Sequence, residues 1–120
     1  MEKLLATGKA KNIGVCNYSL PYLKELLASC TVVPAVNQIE NHPSLPQQEI
    51  VDFCREKGIH ITAYSPLGST GSPMFKEKAI LEVAEKEGIT PASVLLSYHG
   101  EFLAHESTPE KYPRNYGRRE

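Results

Sequence analysis

A chain of 120 residues has room for one domain with a modest hydrophobic core. Apolar residues make up 41% of the sequence and charged residues 22%, as is usual for a soluble globular protein. The net charge of −1 gives no positive field that would attract nucleic acid or anionic lipid. No apolar run approaches the roughly 20 residues that a membrane span needs. We therefore expect neither nucleic acid nor a membrane as a partner, and a cytoplasmic location.

The three cysteines, Cys16, Cys30 and Cys54, are odd in number and widely spaced. This spacing fits neither a disulfide framework nor a CxxC metal site. We interpret them as free thiols in a reducing compartment and predict no metal site.

Three short runs rich in Val and Ile predict buried strands at residues 12–15, 35–39 and 59–64. A helical pattern precedes the first run at residues 1–7 and stops at Gly8, which suggests an upstream part of the protein. A second helix is predicted after Ser19, a good N-cap residue.

Further helical patterns follow along the chain. Residues 46–57 predict a helix that ends at Gly58, a typical C′ residue. After the third strand, residues 65–73 are too rich in Gly, Pro and Ser for regular structure. Residues 76–87 predict the next helix, and Thr90 caps a last one that extends to about Tyr98.

Strands that alternate with helices through short connections predict parallel strands with right-handed crossovers. A doubly wound sheet and a (β/α)8 barrel both have this alternation. Polar or aromatic residues end each predicted strand, which favours the barrel, because barrel enzymes hold ligands there. No GxGxxG sequence follows a strand, as a dinucleotide-binding sheet would show. We expect Val15, Val36 and Ile61 to line the inner face of such a barrel.

Three motifs resemble signatures of the aldo-keto reductase family. Residues 13–19 read IGVCNYS and are similar to its IGVSNF motif, residues 36–43 read VNQIENHP and resemble VNQIExHP, and residues 61–69 read ITAYSPLGS and resemble AYSPLG. Their order and separation match strands five to seven of the eight-stranded barrel. The resemblance implies an α/β fold, a partial (β/α)8 TIM barrel of parallel strands over residues 1–99, followed by a divergent, disordered tail over residues 100–120.

The resemblance also implies a nicotinamide site. Asn17 and Gln38 would hold the carboxamide of the nicotinamide, because amide side chains offer both a donor and an acceptor. The alternative is that they only tie down loop backbone. Cys16 stands where the family usually has Ser, and a thiol is a weaker hydrogen-bonding partner.

The third motif would contribute contacts to the ring and to the pyrophosphate. Tyr64 would stack on one face of the nicotinamide, with packing on the barrel rim as the alternative. Ser65, Leu67 and Ser69 would lie over the pyrophosphate, where small residues let backbone N–H groups approach anionic oxygens. We interpret His42 as a structural histidine rather than a general acid.

No catalytic residue is assigned. Carbonyl reduction needs a general acid, and the family's Tyr, Lys, Asp and His lie on the first four strands, upstream of Met1 by this alignment. The family's basic motif for the 2′-phosphate of NADP is also altered, since His105 and Glu106 stand where Lys and Ser are expected. A weaker preference for NADPH over NADH would follow.

The sequence therefore predicts an NAD(P)H-dependent oxidoreductase of the aldo-keto reductase type, which reduces aldehydes, ketones or sugars to alcohols. The chain would be a fragment that carries the nicotinamide-binding part. Its cofactor would be NADP(H), with NAD(H) as the alternative, and its partner a small carbonyl substrate. The alternative functions are a non-catalytic barrel fragment that acts as a binding or regulatory module, and an unrelated parallel α/β binding domain.

Overall fold

The computed structural model describes residues 1–104 and contains a three-stranded parallel sheet with the order β1-β2-β3. Strand β1 is Val15–Cys16, β2 is Val36–Glu40 and β3 is His60–Tyr64. The strands are parallel and a helix lies between each sequential pair, as the sequence predicted. The predicted start of β1 at residue 12 is wrong, because only Val15 and Cys16 pair with β2.

Five helices accompany the strands in residues 1–104. They are α1 Glu2–Leu5, α2 Leu20–Ser29, α3 Gln48–Glu56, α4 Lys78–Glu87 and α5 Pro91–Ala104, with a 3-10 turn at Pro73–Lys76. The Thr90 hydroxyl accepts a hydrogen bond from the Ser93 N–H at 3.1 Å, which confirms the predicted cap of α5. None of these helices is long and apolar enough to cross a bilayer.

Helix α5 is longer than the sequence predicted. It continues past Tyr98 to Ala104, so the predicted boundary at residue 100 falls inside it. Leu95 on this helix is fully buried against Met74 and Ile80, in a cluster that joins α5, α4 and the 3-10 turn. This packing stabilises a segment that contains Gly100, a residue of poor intrinsic helix propensity.

The helix-facing side of the sheet forms the main core. Leu23 of α2 and Cys54 of α3 pack with Ile59, and Val15 and Ile61 lie against this cluster. The expectation that Val15 and Ile61 line the inner face is therefore wrong. Alternate strand residues point to opposite faces, and the register places Val36 on the other face.

A close approach of β1 to β2 requires Gly14. The Ala35 N–H donates to the Ile13 carbonyl at 2.8 Å, just ahead of the strand pairing. A Cβ atom on Gly14 would lie 2.9 Å from the Val36 carbonyl oxygen and 3.3 Å from the Val36 Cβ. Substitution there must push the two strands apart.

We expect Gly14→Ala to loosen the β1–β2 pairing. Overpacking of this kind costs about 1–3 kcal/mol, which corresponds to roughly 5- to 150-fold faster amide exchange. The amide protons to follow are those of Ala35 and Asn17, which donate across the two strands. Gly100→Ala is the matched control, because its Cβ would meet nothing within 4 Å. Unchanged exchange in Gly14→Ala would contradict this account.

Candidate functional site

Polar side chains collect where the three strands end. Cys16 pairs with Gln38, and Gln38 pairs in turn with Thr62. All three are exposed on the sheet face that lies opposite the helices. Since neighbouring strands lie about 4.8 Å apart, the row is about 10 Å wide. Tyr64 pairs with Glu40 on the same face, two residues closer to the carboxyl ends of β2 and β3.

Two of the predicted site residues have an unusual backbone conformation. Asn17 has a φ of 57° and Ser65 a φ of 50°, and each comes directly after the end of its strand. Residues other than glycine rarely adopt this left-handed region, and such conformations concentrate at binding sites. The Asn17 N–H donates to the Gln38 carbonyl at 2.8 Å, which fixes the first residue beyond β1 beside β2.

The side-chain amides of Asn17 and Gln38 are free to bind a ligand. Both residues are exposed, and within residues 1–104 neither side chain has a hydrogen-bond partner. The two amides are therefore not tying down loop backbone, and together they offer donors and acceptors that complement a carboxamide. Tyr64 is half-buried at the end of β3, on the same sheet face as Gln38, so the residues present fit a nicotinamide group.

The loop after β3 is built around tight turns. The Gly68 N–H donates to the Ser65 carbonyl at 2.8 Å, and the Ser72 N–H donates to the Ser69 carbonyl at 2.9 Å. Gly68 has a φ of 75°, and a Cβ there would lie 2.8 Å from the Met74 Cε. Leu67 packs its side chain against the α4–α5 cluster, which leaves its backbone as the part that can face a ligand.

The structure thus divides the predicted site residues into two groups. Cys16, Asn17, Gln38, Tyr64 and Ser65 lie together at the strand ends. The other two lie in the following loop, where Ser69 is exposed and Leu67 is half-buried.

Asn37 is a residue that sequence reasoning missed. It is fully buried on the helix-facing side of β2, and its side chain hydrogen-bonds both the N–H and the carbonyl of Tyr18. Burial raises the pKa of the neighbouring Cys54 thiol, and a hydrogen bond from Asn37 opposes part of that rise. The sequence shows an asparagine within a strand, and such an amide must be satisfied when it is buried, but no local pattern shows that Asn37 is on the buried side.

His42 lies in a turn beside β2. Its Nε2 is 3.5 Å from the Glu40 Oε1, and reciprocal backbone hydrogen bonds to Leu45 close the turn. Burial lowers the pKa of His99 on α5, and the nearby His42 lowers it further. These contacts support the interpretation of His42 as a structural residue.

Parallel strands joined by helices, with polar residues at their carboxyl ends, are the arrangement found in one part of a (β/α)8 barrel. The model of the Aldo/keto reductase family matches residues 1–105. The chain belongs to this family.

Three similar proteins show how much of the barrel is present. D-galacturonate reductase from Hypocrea jecorina is 63% identical over 96% of this chain, which covers 38% of that protein. Aldose reductase from Giardia lamblia is 41% identical with a TM-score of 0.77, over 84% of this chain and 34% of that one. An aldo-keto reductase complexed with NADPH is 36% identical with a TM-score of 0.74, over 83% and 33% respectively. The chain therefore spans well under half the length of these relatives.

Proposed function

We propose that this chain supplies the nicotinamide-binding part of the cofactor site in an NADP(H)-dependent reductase. Such a reductase converts aldehydes, ketones or sugars to alcohols. The observation that carries the proposal is that Asn17 and Gln38 are adjacent residues at neighbouring strand ends, joined by a backbone hydrogen bond, and that both side-chain amides are exposed and without a partner within residues 1–104. The solved complex of a family member with NADPH and the relative named for D-galacturonate reduction support it.

Asn17, Gln38 and Cys16 would bind the carboxamide of the nicotinamide, and Tyr64 would bind its ring. NADPH supplies a hydride to the carbonyl carbon of the substrate. Asn17 and Gln38 donate to and accept from the carboxamide, which sets the rotation of the ring. Cys16 adds a weaker contact beside them. Tyr64 stacks on one ring face, which is worth about 0.5–1.5 kcal/mol beyond the burial of area and leaves the opposite face for hydride transfer.

The remaining requirements fall on other parts of the protein. The loop that holds Ser65, Leu67 and Ser69 would direct backbone N–H groups at the pyrophosphate. The proton for the alcohol oxygen must come from a general acid, and no residue of this chain is assigned that role. His105 and Glu106, which underlie the predicted weaker preference for NADPH, lie outside the described residues, so that preference stays a prediction.

The test is cofactor binding by a joined protein, in which the whole chain follows the amino-terminal part of D-galacturonate reductase. We expect Asn17→Ala and Gln38→Ala each to weaken NADPH binding by roughly tenfold, since each removes hydrogen bonds to the carboxamide. Fluorescence titration measures both dissociation constants.

Gln48→Ala is the matched control. Gln48 is an exposed amide on α3 whose Nε2 donates to Asp52 at 2.8 Å, so its removal should not change NADPH affinity. The proposal fails if the joined protein binds no NADPH, or if Asn17→Ala and Gln38→Ala bind it as tightly as Gln48→Ala does.

A further inference from the structure

The side chain of Asn37 takes over the strand pairing of β2 where β1 has ended. Its Nδ2 donates to the Tyr18 carbonyl at 3.0 Å, and its Oδ1 accepts from the Tyr18 N–H at 3.3 Å. Tyr18 lies two residues beyond Cys16, the last residue of β1. A single amide group therefore pairs with both main-chain groups of one loop residue, as a neighbouring strand would.

These two bonds hold Tyr18, the residue after Asn17, and a third hydrogen bond holds the peptide group that precedes Asn17. The Asn17 N–H is held by the Gln38 carbonyl at 2.8 Å, and the next residue is held by Asn37. A left-handed non-glycine residue persists only where its surroundings fix it. With both neighbouring peptide groups fixed, the φ of 57° at Asn17 is set, and so is the direction in which its Cα–Cβ bond points.

We infer that Asn37 is a positioning residue that aims the Asn17 carboxamide at the nicotinamide. The inference rests on the function proposed above, because it assigns a role to Asn37 only through the ligand of Asn17. Asn37 itself is fully buried on the opposite face of the sheet, so it touches no cofactor.

The two hydrogen bonds to the Tyr18 backbone require an amide side chain at position 37. An amide has a donor and an acceptor on one planar group, and the Tyr18 backbone needs one of each. Leucine would leave both Tyr18 groups without a partner. A carboxylate would place a second acceptor against the Tyr18 carbonyl. The repulsion would not be screened by water, because Asn37 and the neighbouring Cys54 are both fully buried.

The experiment compares two ligands on the joined protein. One is NADPH, and the other is ADP-ribose 2′-phosphate, which has the adenosine and pyrophosphate parts but no nicotinamide. For Asn37→Ala we expect NADPH affinity to fall by about tenfold, with affinity for ADP-ribose 2′-phosphate held to within about twofold. A merely structural role for Asn37 would weaken both ligands alike, and that result would overturn the inference.

A double substitution separates this inference from the proposed function. If Asn37 acts through Asn17, Asn37→Ala should cost no further NADPH affinity in an Asn17→Ala background. An additive loss would overturn the positioning role. If Asn17→Ala alone leaves NADPH affinity unchanged, the proposed function itself has failed.

Two further variants keep the test decisive. Asn37→Ser retains a hydroxyl that can accept from the Tyr18 N–H, and it should give a smaller loss of the same selective kind if Asn37→Ala does not fold. Asn41→Ala is the matched control, because Asn41 is also buried, at 2% exposure, and its Nδ2 donates to the Pro46 carbonyl instead. A selective loss of NADPH affinity in Asn41→Ala would overturn the assignment to Asn37.

Discussion

We expect the 120-residue chain on its own to show no reductase activity: with any of a panel of aldehydes, NADPH should be oxidised no faster than in buffer alone. Carbonyl reduction needs a proton donor beside the hydride acceptor. In the aldo-keto reductase family the proton donor is a tyrosine whose pKa is tuned by a lysine. The resemblance implies that both residues lie outside this chain. Within residues 1–104 no tyrosine hydroxyl is hydrogen-bonded to a lysine, and Lys24 and Lys57 lie over the Phe53 ring instead.

The assay follows NADPH absorbance, with D-galacturonate reductase as the positive control. Ordinary enzymes turn over at about 1–1000 per second, so the expected difference spans several orders of magnitude. Turnover by the chain alone in that range, abolished by Tyr64→Ala, would overturn the assignment of roles.

The isolated chain is also expected to self-associate. In the sheet order β1-β2-β3, strands β1 and β3 each have an edge that no other strand of residues 1–104 pairs with. Such edges carry unpaired backbone groups that pair readily with another chain. A groove of about 510 Å³ adjoins β1 and is lined partly by Ile13 and Val32, and another of about 400 Å³ adjoins β3 and is lined partly by Ala63 and Leu96.

Sedimentation over a range of concentrations measures this association. We expect the average mass to rise above that of the 13.3 kDa monomer as concentration increases. The joined protein, which supplies a neighbour for β1, should associate less. A monomer at all concentrations, with a sharp cooperative melt and slow amide exchange in β1 and β3, would contradict the expectation.

The strand ends were predictable because several local signals agree there. Runs of Val and Ile end in polar residues at Cys16, Gln38 and Tyr64, and the structure places all three on one face of the sheet. The motifs also led to Asn17, and asparagine adopts the left-handed backbone seen there more readily than most residues other than glycine.

Other features depend on tertiary packing that no local pattern states. Short strands with apolar residues at consecutive positions do not reveal which face meets the helices, so Val15 and Ile61 were assigned to the wrong side. Helix α5 was predicted to extend only to about Tyr98, whereas it continues to Ala104, and the burial of Leu95 that anchors it belongs to the assembled structure. The bonds from Asn37 to Tyr18 connect residues 19 positions apart.

The central claim is that Asn17 and Gln38 grip the carboxamide of a nicotinamide. The most direct measurement is the affinity of the joined protein for NADPH relative to its acetylpyridine analogue, in which a methyl group replaces the carboxamide NH2. We predict that the joined protein binds NADPH about tenfold more tightly than the analogue. The analogue has no NH2 group to donate hydrogen bonds to the amide oxygens of Asn17 and Gln38. In the double variant Asn17→Ala, Gln38→Ala this preference should vanish. If the double variant still bound NADPH about tenfold more tightly than the analogue, the claim would be contradicted, because some other group would then be hydrogen-bonded to the carboxamide.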